Sequence, residues 1–213
     1  MTYKLDMTMM VTVHDALRRE AERIARITAR TGDDPRRLLG AAVGWEMFKT
    51  YLRVHHTTED DMLWPVMERA LAGQTDELAL LAAMEAEHAL IDPLLESFDA
   101  AIADPDTGHE RLGDLADSLT TVLGGHLRHE EREALAVIDL SVTEEQWRTF
   151  GQEHSRRIGA DASRYLPWVL DSAGEERTAL ILGRMPDHIR AAYRDEWRAA
   201  YDASKIWEPS GRR

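Results

Sequence analysis

Four long segments of this chain repeat apolar residues at three- and four-residue spacing, and each stripe is broken once by a histidine. The first runs Met10, His14, Leu17, Ala21, Ile24, and the second Trp45, Phe48, Leu52, His55, Glu59, Met62. The third runs Leu81, Met84, His88, Ile91, Leu95, Phe98, and the fourth Leu112, Leu115, Leu119, Val122, His126, Glu130. Residues at i and i+4 share a helical face. The spacing therefore predicts buried stripes that contain an imidazole and, twice, a carboxylate one turn further on. Nothing alternates convincingly with period two, and Gly and Pro cluster between the periodic segments, so the expected fold is all-α.

The expected helices run from about Thr8 to Arg30, ending at the turn around Gly32, and from about Pro35 to Leu71 with a kink at Pro65. Two more run from about Asp76 to Ala103, with an irregularity at Pro93, and from about Gly108 to Asp139. In an up-down-up-down four-helix bundle, equal residue counts on either side of a turn mean equal height. The four histidines mismatch by about three to five residues, roughly one turn. His14, His55, Glu59, His88, His126 and Glu130 can thus meet in one layer of the core.

Residues 1–140 are read as this bundle and 141–213 as a helical extension packed on it. The extension opens with Ser-Val-Thr-Glu-Glu at 141–145, a capped helix start, and continues in short helical segments. It holds Trp147, Phe150, Tyr165, Trp168, Tyr193, Trp197, Tyr201 and Trp207, eight of the chain's fourteen aromatics.

Composition narrows the chemistry. There is no cysteine among the 213 residues, which excludes disulfides, zinc-thiolate sites and thiol catalysis. A net charge of −13 argues against nucleic-acid binding, which draws on basic patches. No apolar run reaches the roughly 18 residues a membrane span needs, and the N-terminus has no secretory pattern, so a cytoplasmic protein is expected. Only Lys4, Lys49 and Lys205 among 26 basic residues are lysine, a bias that suits a GC-rich bacterial genome.

Six polar groups buried together without partners would cost several kcal/mol each, roughly, and a metal centre relieves that cost. Imidazole and carboxylate without thiolate suit iron, manganese or zinc, in that order. Glu59 and Glu130, on facing helices, can bridge two ions. Six protein ligands on two ions leave positions open, where dioxygen, peroxide or nitric oxide would bind.

The motifs VHDAL around His14, HHTTEDDMLWP at 55–65, MEAEHALI at 84–91 and HLRHEE at 126–131 resemble the hemerythrin-like (HHE) cation-binding family. The resemblance covers roughly residues 8–140. It implies a non-heme di-iron four-helix bundle, with two iron ions (Fe2+/Fe3+) joined by an oxo or hydroxo bridge. Carried over, the ligands are His14, His55, His88 and His126, with Glu59 and Glu130 bridging. The chain departs from the oxygen-carrying hemerythrins on the third helix, where Met84 stands in place of the first histidine of HxxxH. That puts simple reversible oxygen carriage in doubt and favours reactivity or a larger ligand.

Other residues remain open. His56, about 100° from His55 around the helix, is an alternative for the missing ligand, although a neighbouring role is preferred. His129 competes with Glu130 for the inward face, and Glu130 is preferred because it repeats the His55/Glu59 spacing. Glu131 is the alternative carboxylate, since hemerythrins proper place theirs five residues after the histidine. His154 shares a stripe with Trp147, Phe150 and Ile158 and is a candidate to approach the site. His109 and His188 are read as surface residues.

The first functional reading is a carrier, sensor or scavenger of O2, H2O2 or NO. The second is a di-iron oxidase or oxygenase acting on a small organic molecule, an aromatic amine or nitroso compound being one case. Iron storage, delivery or cluster repair comes third, since the chain lacks the cysteine-rich motif of cluster-repair relatives. No catalytic side chain beyond the metal ligands is assigned, and monomer and homodimer both remain open. For the second reading, some of Trp147, His154, Tyr165 and Trp168 should lie near the open side of the metals; the alternative is that the extension covers a bundle face or forms a dimer interface.

Overall fold

The computed structural model describes residues 3–29 and 34–208, and its regular structure among these is entirely helical. Helix α1 spans Thr8–Thr28; the turn expected around Gly32 lies outside the described residues. The segment expected as one kinked helix is three: α2 (Pro35–Ala41), α3 (Val43–Met62) and α4 (Trp64–Ala70).

Both breaks have physical causes. Ala42 is extended (ψ 125°), and just beyond it the backbone of Gly44 meets the C-terminal end of the chain. The Gly44 N–H donates to the Ile206 carbonyl at 2.7 Å, and a Cβ on Gly44 would come within 2.6 Å of the Trp207 indole. The second break falls at Leu63, because the Pro65 ring opposes the carbonyl one turn back and suits the first turn of a new helix.

Helix α5 (Thr75–Ala103) runs on through Pro93. Helix α6 (Gly108–His129) widens into a π turn at Glu130–Ala134 and resumes as α7 (Leu135–Ser141). The extension follows as α8 (Glu144–Ile158), α9 (Ala162–Leu170), α10 (Glu175–Gly183), α11 (Asp187–Ala192), a π turn at Tyr193–Trp197, and α12 (Arg198–Ser204). Thr143 caps α8 in a reciprocal box with Gln146.

Helices α1, α3, α5 and α6 form the bundle. α5 packs on α6, α6 on α1, α1 on α3 and α3 on α5, which closes the ring. The seam between α1 and α3 is covered from outside, with α8 lying on α3 and α9 on α1. The cover shares the bundle's core, since Trp168, Leu166 and Ile181 pack in one cluster with Leu17, Phe48 and Leu52. Polar ties reinforce it. The Tyr51 hydroxyl donates to the Asp161 carboxylate, Arg19 donates to the Trp168 carbonyl at 2.7 Å, and the Trp207 indole donates to Glu20 at 2.5 Å. No described helix is long and apolar enough to cross a membrane.

The apolar interior comes in two parts. One cluster holds Leu17 to Ile27 of α1, Trp45 to Leu52 of α3, Ile91 to Ala101 of α5 and Leu112 to Leu127 of α6. The other holds Met10, Leu63, Trp64, Leu81, Met84, Ala134 and Ile138. Between them, at one height on all four helices, lie the histidines and glutamates.

Candidate metal centre

His14, His55, Glu59, His88, His126 and Glu130 are all buried and brought together in this layer. The imidazoles form two pairs. His14 Nε2 lies 3.1 Å from His55 Nε2, and His88 Nε2 lies 3.0 Å from His126 Nε2. The glutamates stand between the pairs. Glu59 Oε1 is 3.4 Å from His55 Nε2 and its Oε2 is 3.6 Å from His88 Nε2. Glu130 Oε2 is 3.2 Å from His14 Nε2 and 3.8 Å from His126 Nε2. One donor atom from each of His14, His55, Glu59 and Glu130 falls within 4.8 Å of the others, and the same is true of His56, His88 and His126.

This layer fits a cation better than it fits itself. Both oxygens of Glu59 and both of Glu130 are buried without a hydrogen-bond partner among the described residues, an expensive state for carboxylates. Their electrostatics are split. Burial opposes ionisation of Glu130, but the His14, His126 and His88 imidazoles outweigh it and keep its carboxyl below the ordinary value. Glu59 goes the other way, pushed well up by burial and then by Glu130 and Asp60. Burial also opposes charge on His14, yet Glu130 and Glu131 raise it to about 9. His55 and His56 are pushed well down by burial and the neighbouring imidazoles. Neutral imidazole and ionised carboxylate are the forms that bind metal.

Outside the layer, three of the four imidazoles are oriented by carboxylates. His14 Nδ1 is 3.0 Å from Glu131 Oε1, and Arg18 holds the other Glu131 oxygen at 2.7 Å. His88 Nδ1 is 2.7 Å from Asp60, which also accepts from the Trp64 indole at 3.1 Å. His126 Nδ1 is 3.0 Å from Glu87, whose other oxygen is 2.8 Å from His129 Nδ1. A carboxylate on Nδ1–H fixes the tautomer and leaves the Nε2 lone pair facing inward.

The open residues now have places. Glu130 faces the layer, whereas Glu131 orients His14 from outside and His129 joins Glu87. The π turn begins at Glu130, so consecutive carboxylates reach opposite nitrogens of one imidazole, and such turns often mark functional sites. His56 stacks on His88 at 4.0 Å with rings 11° from parallel. The His56 Nε2 atom is buried without a hydrogen-bond partner among the described residues. His109 and His188 are exposed.

Sequence reasoning missed Asp60 and Glu87. Each directly flanks a layer residue, Asp60 after Glu59 and Glu87 before His88, just as Glu131 follows Glu130. An acidic residue directly beside Glu59, His88 and Glu130 was the available signal.

His55 is the exception. No carboxylate among the described residues meets its outer side, and it lines a cavity of about 760 Å3 bounded by α1, α3 and the extension. Trp147, His154 and Tyr165 line it too, as expected, with the His154 ring 6.3 Å from that of His55 and 5.6 Å from that of Tyr165. Burial, and then Arg157, lowers His154 to about 4. Trp168 does not line the cavity but is fully buried behind it, against Tyr51 and Tyr165 and under Arg19.

A four-helix bundle with a buried His/Glu layer defines a class of cation-binding helical proteins. The family model of the hemerythrin HHE cation-binding domain matches residues 6–138, and the chain belongs to that family. All six layer residues fall within the match. No curated protein and no solved structure gave a match to the chain.

Proposed function

We propose that the layer holds two iron ions, one at His14 and His55 and the other at His88 and His126, with Glu59 and Glu130 spanning both. The observation that carries this is the Glu59 carboxylate, one oxygen toward His55 and the other toward His88. Bound iron would supply a reducible centre able to take up dioxygen, peroxide or nitric oxide, for carriage, sensing or scavenging. The chain's part is to present inward-facing Nε2 atoms and two buried carboxylates. Glu131, Asp60 and Glu87 lock three of the imidazoles and add negative charge just outside. Six donors on two ions leave positions unfilled, and the missing carboxylate and adjoining cavity favour access from the His55 side.

The test is to load the chain with ferrous iron anaerobically, then add peroxide or nitric oxide while recording the visible spectrum. New charge-transfer absorption that depends on both Glu59 and Glu130 is the expected result. An iron-loaded chain whose spectrum responds to neither reagent overturns the reading.

A second reading, oxidation of a small organic molecule at the same centre, is favoured by one feature. The cavity reaches His55 and exceeds by many times the room a diatomic ligand needs.

A further inference from the structure

The extension builds something that metal binding alone does not require. Its helices α8 and α9 and the segment around Met185 close over the α1–α3 seam and leave a cavity of about 760 Å3. That volume falls within the roughly 300–1,000 Å3 range of sites for small organic ligands. Flat and polarizable side chains dominate the lining, among them Met9, Met10, Trp147, Phe150, Met185 and Trp197. Aromatic faces and thioethers favour planar aromatic partners.

Asp6, Arg148, Gln152, Ser155 and Arg184 line the cavity from exposed positions, so few polar groups line it from buried ones. Tyr165 lines the cavity, and its buried hydroxyl has no hydrogen-bond partner among the described residues. His154 lines it between Tyr165 and His55. Gly151 lines the cavity inside helix α8, where glycine costs about 1 kcal/mol relative to alanine. A Cβ there would meet nothing within 4 Å. Folding therefore does not demand that glycine, and the space beside it is open.

We propose that this cavity is the binding site of a planar aromatic small molecule carrying one hydroxyl or amino group, with that polar end toward Tyr165, His154 and His55. Its role as a substrate rests on the metal-centre reading above; its binding does not. The apolar lining removes the ring from water, and Tyr165 and His154 answer the single polar group. An aliphatic acid of similar size would gain nothing from the aromatic faces, and the arginines of the lining, Arg148 and Arg184, stand exposed, with Arg184 already paired to Asp6.

Isothermal titration of the full chain with 2-naphthol, both iron-loaded and metal-stripped, tests this. Saturable one-to-one binding is expected in both forms, with decanoate weaker by about tenfold or more. Gly151→Ala should leave affinity within about twofold, while Gly151→Trp and Ile189→Glu should each weaken it by about tenfold or more. Iron content should be unchanged in all three variants. Absence of saturable binding, equal affinity for decanoate, or full affinity in both Gly151→Trp and Ile189→Glu overturns the proposal. A chain that takes up two irons but not 2-naphthol removes this inference and leaves the metal centre standing. Binding of 2-naphthol without iron uptake does the reverse.

Discussion

Glu87 holds His126 from outside the metal layer, its Oε2 lying 3.0 Å from His126 Nδ1 while its Oε1 engages His129. The contact crosses from α5 to α6, so it joins two bundle helices as well as orienting an imidazole. Replacing such an outer carboxylate typically lowers metal affinity by about 10- to 100-fold. Glu87→Ala should therefore weaken iron binding by that order while the helical content stays intact. A competition titration against a calibrated chelator measures it, and unchanged affinity would remove Glu87 from the centre's support.

The layer residues should rank in a definite order. Glu59→Ala and Glu130→Ala should each lower bound metal more than His56→Ala or His129→Ala, because only the former remove a group placed between the imidazole pairs. Metal analysis after equilibrium dialysis gives the ranking. Equal loss from His129→Ala and Glu130→Ala would mean that the opposite face of α6 carries the ligand.

Much of this was legible from one strand of reasoning. A helix puts i and i+4 on one face, so His55/Glu59 and His126/Glu130 announced themselves within single segments, and turn positions supplied their common height. Asp60 and Glu87 did not, because each acts on an imidazole of another helix and sits about 100° off the stripe it flanks. The break at Ala42 was hidden for a related reason. Its cause is the approach of Ile206 and Trp207 to Gly44, and no local pattern encodes a contact so distant in sequence. Which of Trp147, Tyr165 and Trp168 would face the cavity was not legible, because an aromatic stripe does not say which member faces a cavity and which faces the core.

The shared core implies that bundle and extension unfold together. Trp168→Ala should cost roughly 3–5 kcal/mol and lower the midpoint of one cooperative transition for the whole chain. Urea denaturation followed by both far-ultraviolet dichroism and tryptophan fluorescence checks this. Two separated transitions, with the bundle unaffected, would show that the extension is merely laid on the surface.

Alkaline pH should loosen the same interface. Tyr51 is raised by burial and then by its bond to Asp161, and burial also raises Tyr165. Unfolded tyrosine titrates near pH 10, roughly. Above that value the unfolded chain releases protons that the folded chain retains, so stability is present below about pH 10 and falls as pH rises beyond it. Tyr51→Phe should flatten the loss, and melting temperature against pH reads it out. An equally steep decline in Tyr51→Phe would place the alkaline sensitivity elsewhere.

The number of irons per chain tests the centre most directly. Reconstituted with excess ferrous iron in air and freed of loosely held metal, the protein should retain close to two irons, and Glu59→Ala should fall well below that. Saturation at a single metal, or a preference for zinc with no coloured iron form, would contradict a two-iron layer bridged by Glu59 and Glu130.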